Sequence, residues 1–202
     1  MIDTLKPKPS LLLKLGSIAV HAEEMLSPGG HVFDRAALKA LLSDSETLPF
    51  SDESFDAVIC ECAFCTFPDK ASAAREFFRV LRQAGRVGIS DLTRSEILPK
   101  DLDGLLAWVA CIGDAQSADR YVAYLRDAGF SMDSVEQRND ALKEMVDQVR
   151  MKLLGAEIMA GLNKLQLPGI DLGTAKRMAT SAMAAIKQGR LGYALICATK
   201  PD

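Results

Sequence analysis

The sequence predicts an α/β fold, a mostly parallel sheet flanked by helices, and three observations carry that prediction. The first is a passage from a turn straight into a buried strand. Pro49 cannot donate to a ladder, Asp52-Glu53-Ser54 is solvated turn chemistry, and Phe55, Val58 and Ile59 are the bulky residues that a covered parallel strand needs. The second is a helical pattern over residues 69–82 with Ala73, Phe77, Val80 and Leu81 on one face, followed by an apolar run at 86–90, which together complete a βαβ unit. The third is the element order of the C-terminal half, in which helices alternate with two further strand-like runs.

Taken in order, residues 9–26 read as a helix, because Leu12, Leu15, Ile18, Ala19, Ala22 and Leu26 fall near one face and Ser27-Pro28-Gly29-Gly30 stops it. Asp34 is the N-cap of a short helix through Leu38, Leu41 and Leu42. The first strand spans Phe55 to Cys60, the helix 69–82 comes next, and Gly85 supplies the permissive residue of the turn into the second strand. Leu98-Pro99-Lys100-Asp101 leads into a buried helix around Trp108. Residues 118–128 are amphipathic through Tyr121, Tyr124 and Leu125 and are closed by Gly129. A strand at 132–137, helices at 140–162 and 174–187, and a final strand at 191–199 complete the chain. Met145, Met151 and Met159 are read as core or as a lid over a hydrophobic pocket.

Bulk composition narrows the function. With 202 residues, 49% hydrophobic and 25% charged, the chain suits one α/β domain over residues 1–202. A net charge of -3 offers no basic footprint, so no nucleic-acid partner is expected. Lys14 interrupts the N-terminal apolar run, and no stretch approaches the roughly 20 apolar residues of a membrane span. Five cysteines, three of them between Cys60 and Cys65, do not make the spaced framework of a secreted domain, and a reducing, cytoplasmic setting is expected.

Leu48-Pro49-Phe50, the acidic turn and Ser54-Phe55-Asp56-Ala57-Val58 resemble the fourth strand of class I S-adenosylmethionine (SAM) methyltransferases. Phe78-Arg79-Val80-Leu81-Arg82 through Gly88-Ile89-Ser90-Asp91 is similar to the helix, turn and fifth strand that come next in that family, which carries Pro-Gly where this chain has Gln83-Ala84. The resemblance implies a Rossmann-like sheet, a small-molecule substrate and SAM as cofactor. It covers residues 41–202 and leaves residues 1–40 as a divergent helical segment. The family's glycine-rich turn after its first strand, which lets the backbone approach the cofactor, has no counterpart here, since neither Gly16-Ser17 nor Gly29-Gly30 is read as following a strand. The fold is therefore expected to be N-terminally truncated or replaced relative to the full methyltransferase fold. Strand 55–60 would then have an open flank, to be covered by the N-terminal helices or by a second subunit in a homodimer.

Cys60 and Cys62 are two apart on a strand and are expected on the same face, with Cys65 just beyond, at the carboxyl end of the sheet where α/β proteins hold ligands. Cys60-Glu61-Cys62-Ala63 and Ala110-Cys111-Ile112-Gly113-Asp114-Ala115 resemble the arsenite methyltransferase branch. That resemblance implies Cys62 and Cys111 as catalytic ligands of trivalent arsenic; the third cysteine that the branch carries nearer its N-terminus has no counterpart here, and Cys60 and Cys65 are read as substrate-binding thiols that substitute for it. The wider family resemblance implies Asp44 near the adenine amino group, with Ser45 and Cys60 beside the cofactor, and a turn or cap role is the competing reading of Asp44. Thiolates suit a soft centre. Burial as small apolar residues and a structural zinc site are the competing readings of the same thiols. Asp91 could face the pocket, while His21 and His31 lack a placed partner and read as surface or packing residues. Beside a methyltransferase stand two alternatives: a non-catalytic relative that keeps a cysteine metalloid or metal site or serves as a dimerisation module, and an internally deleted product of an active parent.

Overall fold

The computed structural model describes residues 12–16, 46–94, 98, 102, 112–162 and 171–202. Five strands form one sheet: β1 (Leu12–Gly16), β2 (Phe55–Glu61), β3 (Leu81–Arg94), β4 (Ser131–Gln137) and β5 (Leu191–Thr199), in the order β1-β2-β3-β5-β4. β1 runs parallel to β2, and β2 parallel to β3. β5 then runs antiparallel to β3 and β4 antiparallel to β5. The sheet is thus mixed, with its parallel part at the end where the first two crossovers return.

β1 departs from the expected helix over 9–26. Leu12 and Leu15 satisfy a helical spacing, but three leucines broken by Lys14 suit a short parallel strand equally, and periodicity alone does not separate the two. The ladder decides it, with Leu12 opposite Ala57 and Gly16 opposite Glu61. Two expectations are corrected as a result. Gly16 does follow a strand, and the flank of β2 is paired within the chain, so β2 gives no reason to invoke a second subunit. The helix expected through Leu38, Leu41 and Leu42, and the one around Trp108, lie outside the described residues.

Helix α1 (Lys70–Val80) starts where Asp69 accepts from the backbone N–H of Ser72 at 2.9 Å. Such a cap meets one of the donors that a helix start leaves open. One face of α1 buries Ala73, Ala74, Phe77 and Val80 against the sheet. Its other face carries Arg79, whose guanidinium donates to the carbonyls of Leu48 (3.0 Å) and Phe50 (2.7 Å) and to the carboxylates of Asp52 and Glu76. That latch fixes the Leu48-Pro49-Phe50 turn over the helix and sets where β2 begins.

The irregular start of β3, where the partner of β2 jumps from Leu81 to Arg86, puts its strain on a residue other than the one expected. Ala84, not Gly85, takes the left-handed conformation (φ 57°). A Cβ on Gly85 would lie 2.7 Å from the Arg82 carbonyl oxygen, so glycine is required there by close approach. A left-handed alanine costs roughly 1–2 kcal/mol. Ala84→Gly is accordingly expected to stabilise the protein by about 1 kcal/mol, and Gly85→Ala to destabilise it by about 2 kcal/mol, both read from urea midpoints at unchanged slope.

Helix α2 (Ala118–Asp127) is capped by Ser117 and, as its sequence predicts, closed by Gly129 at φ 107°. Helices α3 (Asn139–Gly161) and α4 (Leu172–Lys187) form a hairpin inserted between β4 and β5. The core gathers Phe64, Phe77, Tyr121 and Leu125 with Val87, Ile89 and Ile196 of the sheet. The α3 methionines are not core: Met145, Met151 and Met159 are 50%, 68% and 42% exposed. Among the described residues no helix is long and apolar enough to cross a membrane.

Candidate active site

β1 and β2 end side by side at Gly16 and Glu61, against Ser90 near the carboxyl end of β3. Ligands of open α/β sheets sit at this edge. Here the chain leaves β2 abruptly. Cys62 adopts φ 46°, its N–H donates to the Ser90 carbonyl at 2.9 Å, and the strand's alternation ends at Glu61. Cys60 and Cys62 therefore do not continue one strand face, contrary to expectation. Cys60 is fully buried in the sheet, whereas Cys62 is partly exposed, with its Sγ 3.6 Å from the Tyr193 Oη.

Beyond Cys62 a single 3-10 turn, Phe64–Thr66, carries Cys65 into full burial. Asp91 braces this turn. Its carboxylate accepts from the N–H of Cys65 at 2.9 Å and from that of Leu92 at 2.7 Å. With 1% exposure it supports the loop rather than facing a pocket, which corrects the role expected of it. Burial pushes the Asp91 carboxyl up from 3.8, against the backbone donors that pull it down. Burial first, then the charge of Asp91, raises the Cys60 thiol well above 9.0. Cys60 is thus a neutral thiol at physiological pH and a poor nucleophile. Burial raises Tyr193 as well, so its hydroxyl is a hydrogen-bonding group and not an anion.

A second brace was not anticipated from the sequence. Lys70, 3% exposed, donates to the Phe67 carbonyl at 3.0 Å and is salt-bridged to Asp114. The Tyr121 hydroxyl donates to the Leu92 carbonyl at 3.1 Å and accepts from the Gln116 N–H at 2.9 Å. Both ties hold the loop after β2 and the segment before α2 onto the end of the sheet. Tyr193 was missed because only the β3–β5 register brings it opposite Leu92 and within reach of Cys62.

Of the predicted site residues, Cys60, Cys62 and Cys65 gather around the end of β2. Asp44, Ser45 and Cys111 lie outside the described residues, as do His21, His31 and Trp108. Among the described residues no three His, Cys, Asp or Glu side chains assemble as a metal site.

Residues 18–89 match a family model described as a methyltransferase domain. The fold is that of the class I methyltransferases. The match begins two residues after Gly16, and so takes in part of the N-terminal segment whose residues carry no evident family motif. The chain is similar to the arsenite methyltransferase of Halobacterium salinarum, 29% identical over 61% of this chain and 32% of that one. It is equally similar to the 27-O-demethylrifamycin SV methyltransferase of Amycolatopsis mediterranei, at 29% identity over 79% of this chain and 58% of that one. The aligned parts thus span about a third to three-fifths of these curated relatives. Among solved structures, the cyclase SpnF superposes with a TM-score of 0.66 at 18% identity, over 95% of this chain and 74% of that one. A phosphoethanolamine N-methyltransferase of Haemonchus contortus gives 0.63 at 17% identity, over 79% and 36%. A methyltransferase fold shared with a cyclase shows that fold and chemistry are separate questions.

Proposed function

We propose that this chain binds SAM across the carboxyl ends of β1, β2 and β3 and transfers its methyl group to a small molecule. One observation carries the reading: β1 ends in Gly16 directly beside β2, in parallel register, where the family has its first strand and a glycine turn. A residue without a side chain lets a cofactor approach the backbone closely. The Haemonchus neighbour was solved with S-adenosylhomocysteine bound, and the family match is to a methyltransferase domain. SAM bound there would supply an electrophilic methyl group to a lone pair of the acceptor, with its sulfur as the leaving group. The protein contributes position above all. Isothermal titration is expected to give saturable, micromolar binding of SAM and of S-adenosylhomocysteine. No heat up to millimolar cofactor rejects the reading and leaves a non-catalytic relative of the family.

A finer version takes trivalent arsenic as the acceptor, held by Cys62 and Cys111 with Cys60 and Cys65 nearby, and with Asp44, Ser45 and Cys60 toward the cofactor. Its support is the partly exposed Cys62 at the end of β2 and the likeness to the halobacterial arsenite methyltransferase. Arsenite should then protect thiols from a chromogenic disulfide reagent, and Cys62→Ser or Cys111→Ser should weaken protection at least tenfold. Protection that survives both substitutions removes arsenic from the proposal.

A further inference from the structure

The α3–α4 hairpin does not pack fully onto the sheet. Between the two helices and the ends of β3 and β5 lies a cavity of about 310 Å³. Its floor is buried Leu92, Leu142, Val146, Ala182 and Leu191, while Met145 and Val149, 50% and 43% exposed, stand at its mouth. Among the described residues every lining side chain is apolar. We infer that this cavity binds a neutral, lipophilic small molecule and that this molecule is the methyl acceptor, a role that rests on the methyl-transfer reading above.

Three features lead there. The volume falls at the small end of the roughly 300–1,000 Å³ typical of ligand pockets, so it fits a compact molecule. An ion or a polyhydroxylated molecule entering it would surrender its water for no hydrogen-bonding side chain, at a cost of several kcal/mol. A lipophile gains by the same transfer, and the methionines Met145 and Met178 in the lining can re-pack around different shapes.

Position connects the cavity to the chemistry. Leu92 is directly opposite Tyr193 in the β3–β5 ladder, and Leu191 lies two residues from Tyr193 on the same strand. Directly paired and alternate residues share one face of a sheet. The cavity floor and the Tyr193 hydroxyl are therefore on one face, and that hydroxyl reaches Cys62 at the end of β2. A lipophile seated against Leu92 and Leu191 has its inner end beside the strand termini at which SAM is proposed to bind. The cavity and the Cys62 thiol thus supply rival acceptor classes, and substitutions separate them.

The test uses N-phenyl-1-naphthylamine, a neutral fluorophore that brightens on leaving water, titrated into the full chain. Saturable one-site binding is expected. Ala182→Phe, which fills the floor, should weaken it at least tenfold, and Val149→Glu, a charge at the exposed mouth that leaves the core untouched, at least fivefold. Ile158→Glu, at a 55% exposed α3 position outside the lining, should change it less than twofold. No saturable binding, or equal binding in all three variants, overturns the inference. Isothermal titration of SAM keeps the two readings apart. Probe binding without SAM binding overturns the acceptor role together with the proposed reaction, and SAM binding without probe binding overturns the lipophilic site alone.

Discussion

Phe64→Ala is expected to destabilise the protein by about 3–5 kcal/mol, a large part of a typical domain's total stability. Phe64 has no solvent exposure and its ring meets four others: Tyr121 edge-on at 5.3 Å, Phe67 at 5.8 Å, Phe77 at 6.0 Å and Tyr124 at 6.5 Å. It is the only anchor of its size in the turn between Cys62 and Cys65 among the described residues, and it joins that turn to both α1 and α2. Alanine leaves a void that three rigid elements cannot close together, so the cost should sit near the upper end for a large-to-small change. Phe64→Leu keeps most of the volume and should cost about 1–2 kcal/mol. Urea midpoints measure both. The same substitution should expose the thiol of Cys65, now fully buried, to a chromogenic disulfide reagent. An Ala variant within about 1 kcal/mol of the parent, with Cys65 still protected, would show that the turn does not depend on this ring.

What the sequence revealed and what it hid divide along physical lines. The second half of the fold was legible because its signals are local: amphipathic stretches mark α2 and α4, Gly129 and Gly189 take positive φ after them, and β5 reads as a dense apolar strand, whereas the Ser117 and Asp171 caps emerge only in the structure. The Leu48-Pro49-Phe50 motif was visible too, although its reason was not, since Arg79 grips those carbonyls from 29 and 31 residues away. β1 was misread because five residues, three leucines broken by Lys14, are too short a stretch to set a period of their own, and only pairing with Ala57 to Glu61 defines them. At the site, the cysteine cluster was evident by spacing, but its partition was not. One left-handed residue, Cys62, turns the chain out of the strand and leaves Cys60 and Cys65 buried on either side of it. Tyr193, Lys70 and the apolar cavity depend on register and on helix packing, and these are non-local.

Asp114→Ala should be the more damaging half of an asymmetric pair. Its partner Lys70 is 3% exposed and, with the carboxylate gone, keeps the Phe67 carbonyl as a hydrogen-bond acceptor but has lost its counter-charge. Leaving a buried cation in that state costs about 3–5 kcal/mol. Removing the cation is a milder change, because the Asp114 side chain is 37% exposed and water can take over its hydrogen bonds. Lys70→Met, which keeps the aliphatic stem packed, should therefore cost only about 1–2 kcal/mol. The double variant Lys70→Met/Asp114→Ala should be more stable than Asp114→Ala alone, since the uncompensated charge has disappeared. A double-mutant cycle in urea measures the coupling, expected at about 1–3 kcal/mol. Because Lys70 opens α1 and Asp114 precedes α2, the pair clamps the loop carrying Cys62 and Cys65 to the other chain segment bordering the site. Loss of the clamp should accordingly weaken SAM binding in Asp114→Ala even at temperatures where the protein stays folded. If the two single variants lose equal stability and the double variant loses their sum, the bridge is a surface contact, and the two segments are held together by Phe64 and Tyr121 alone.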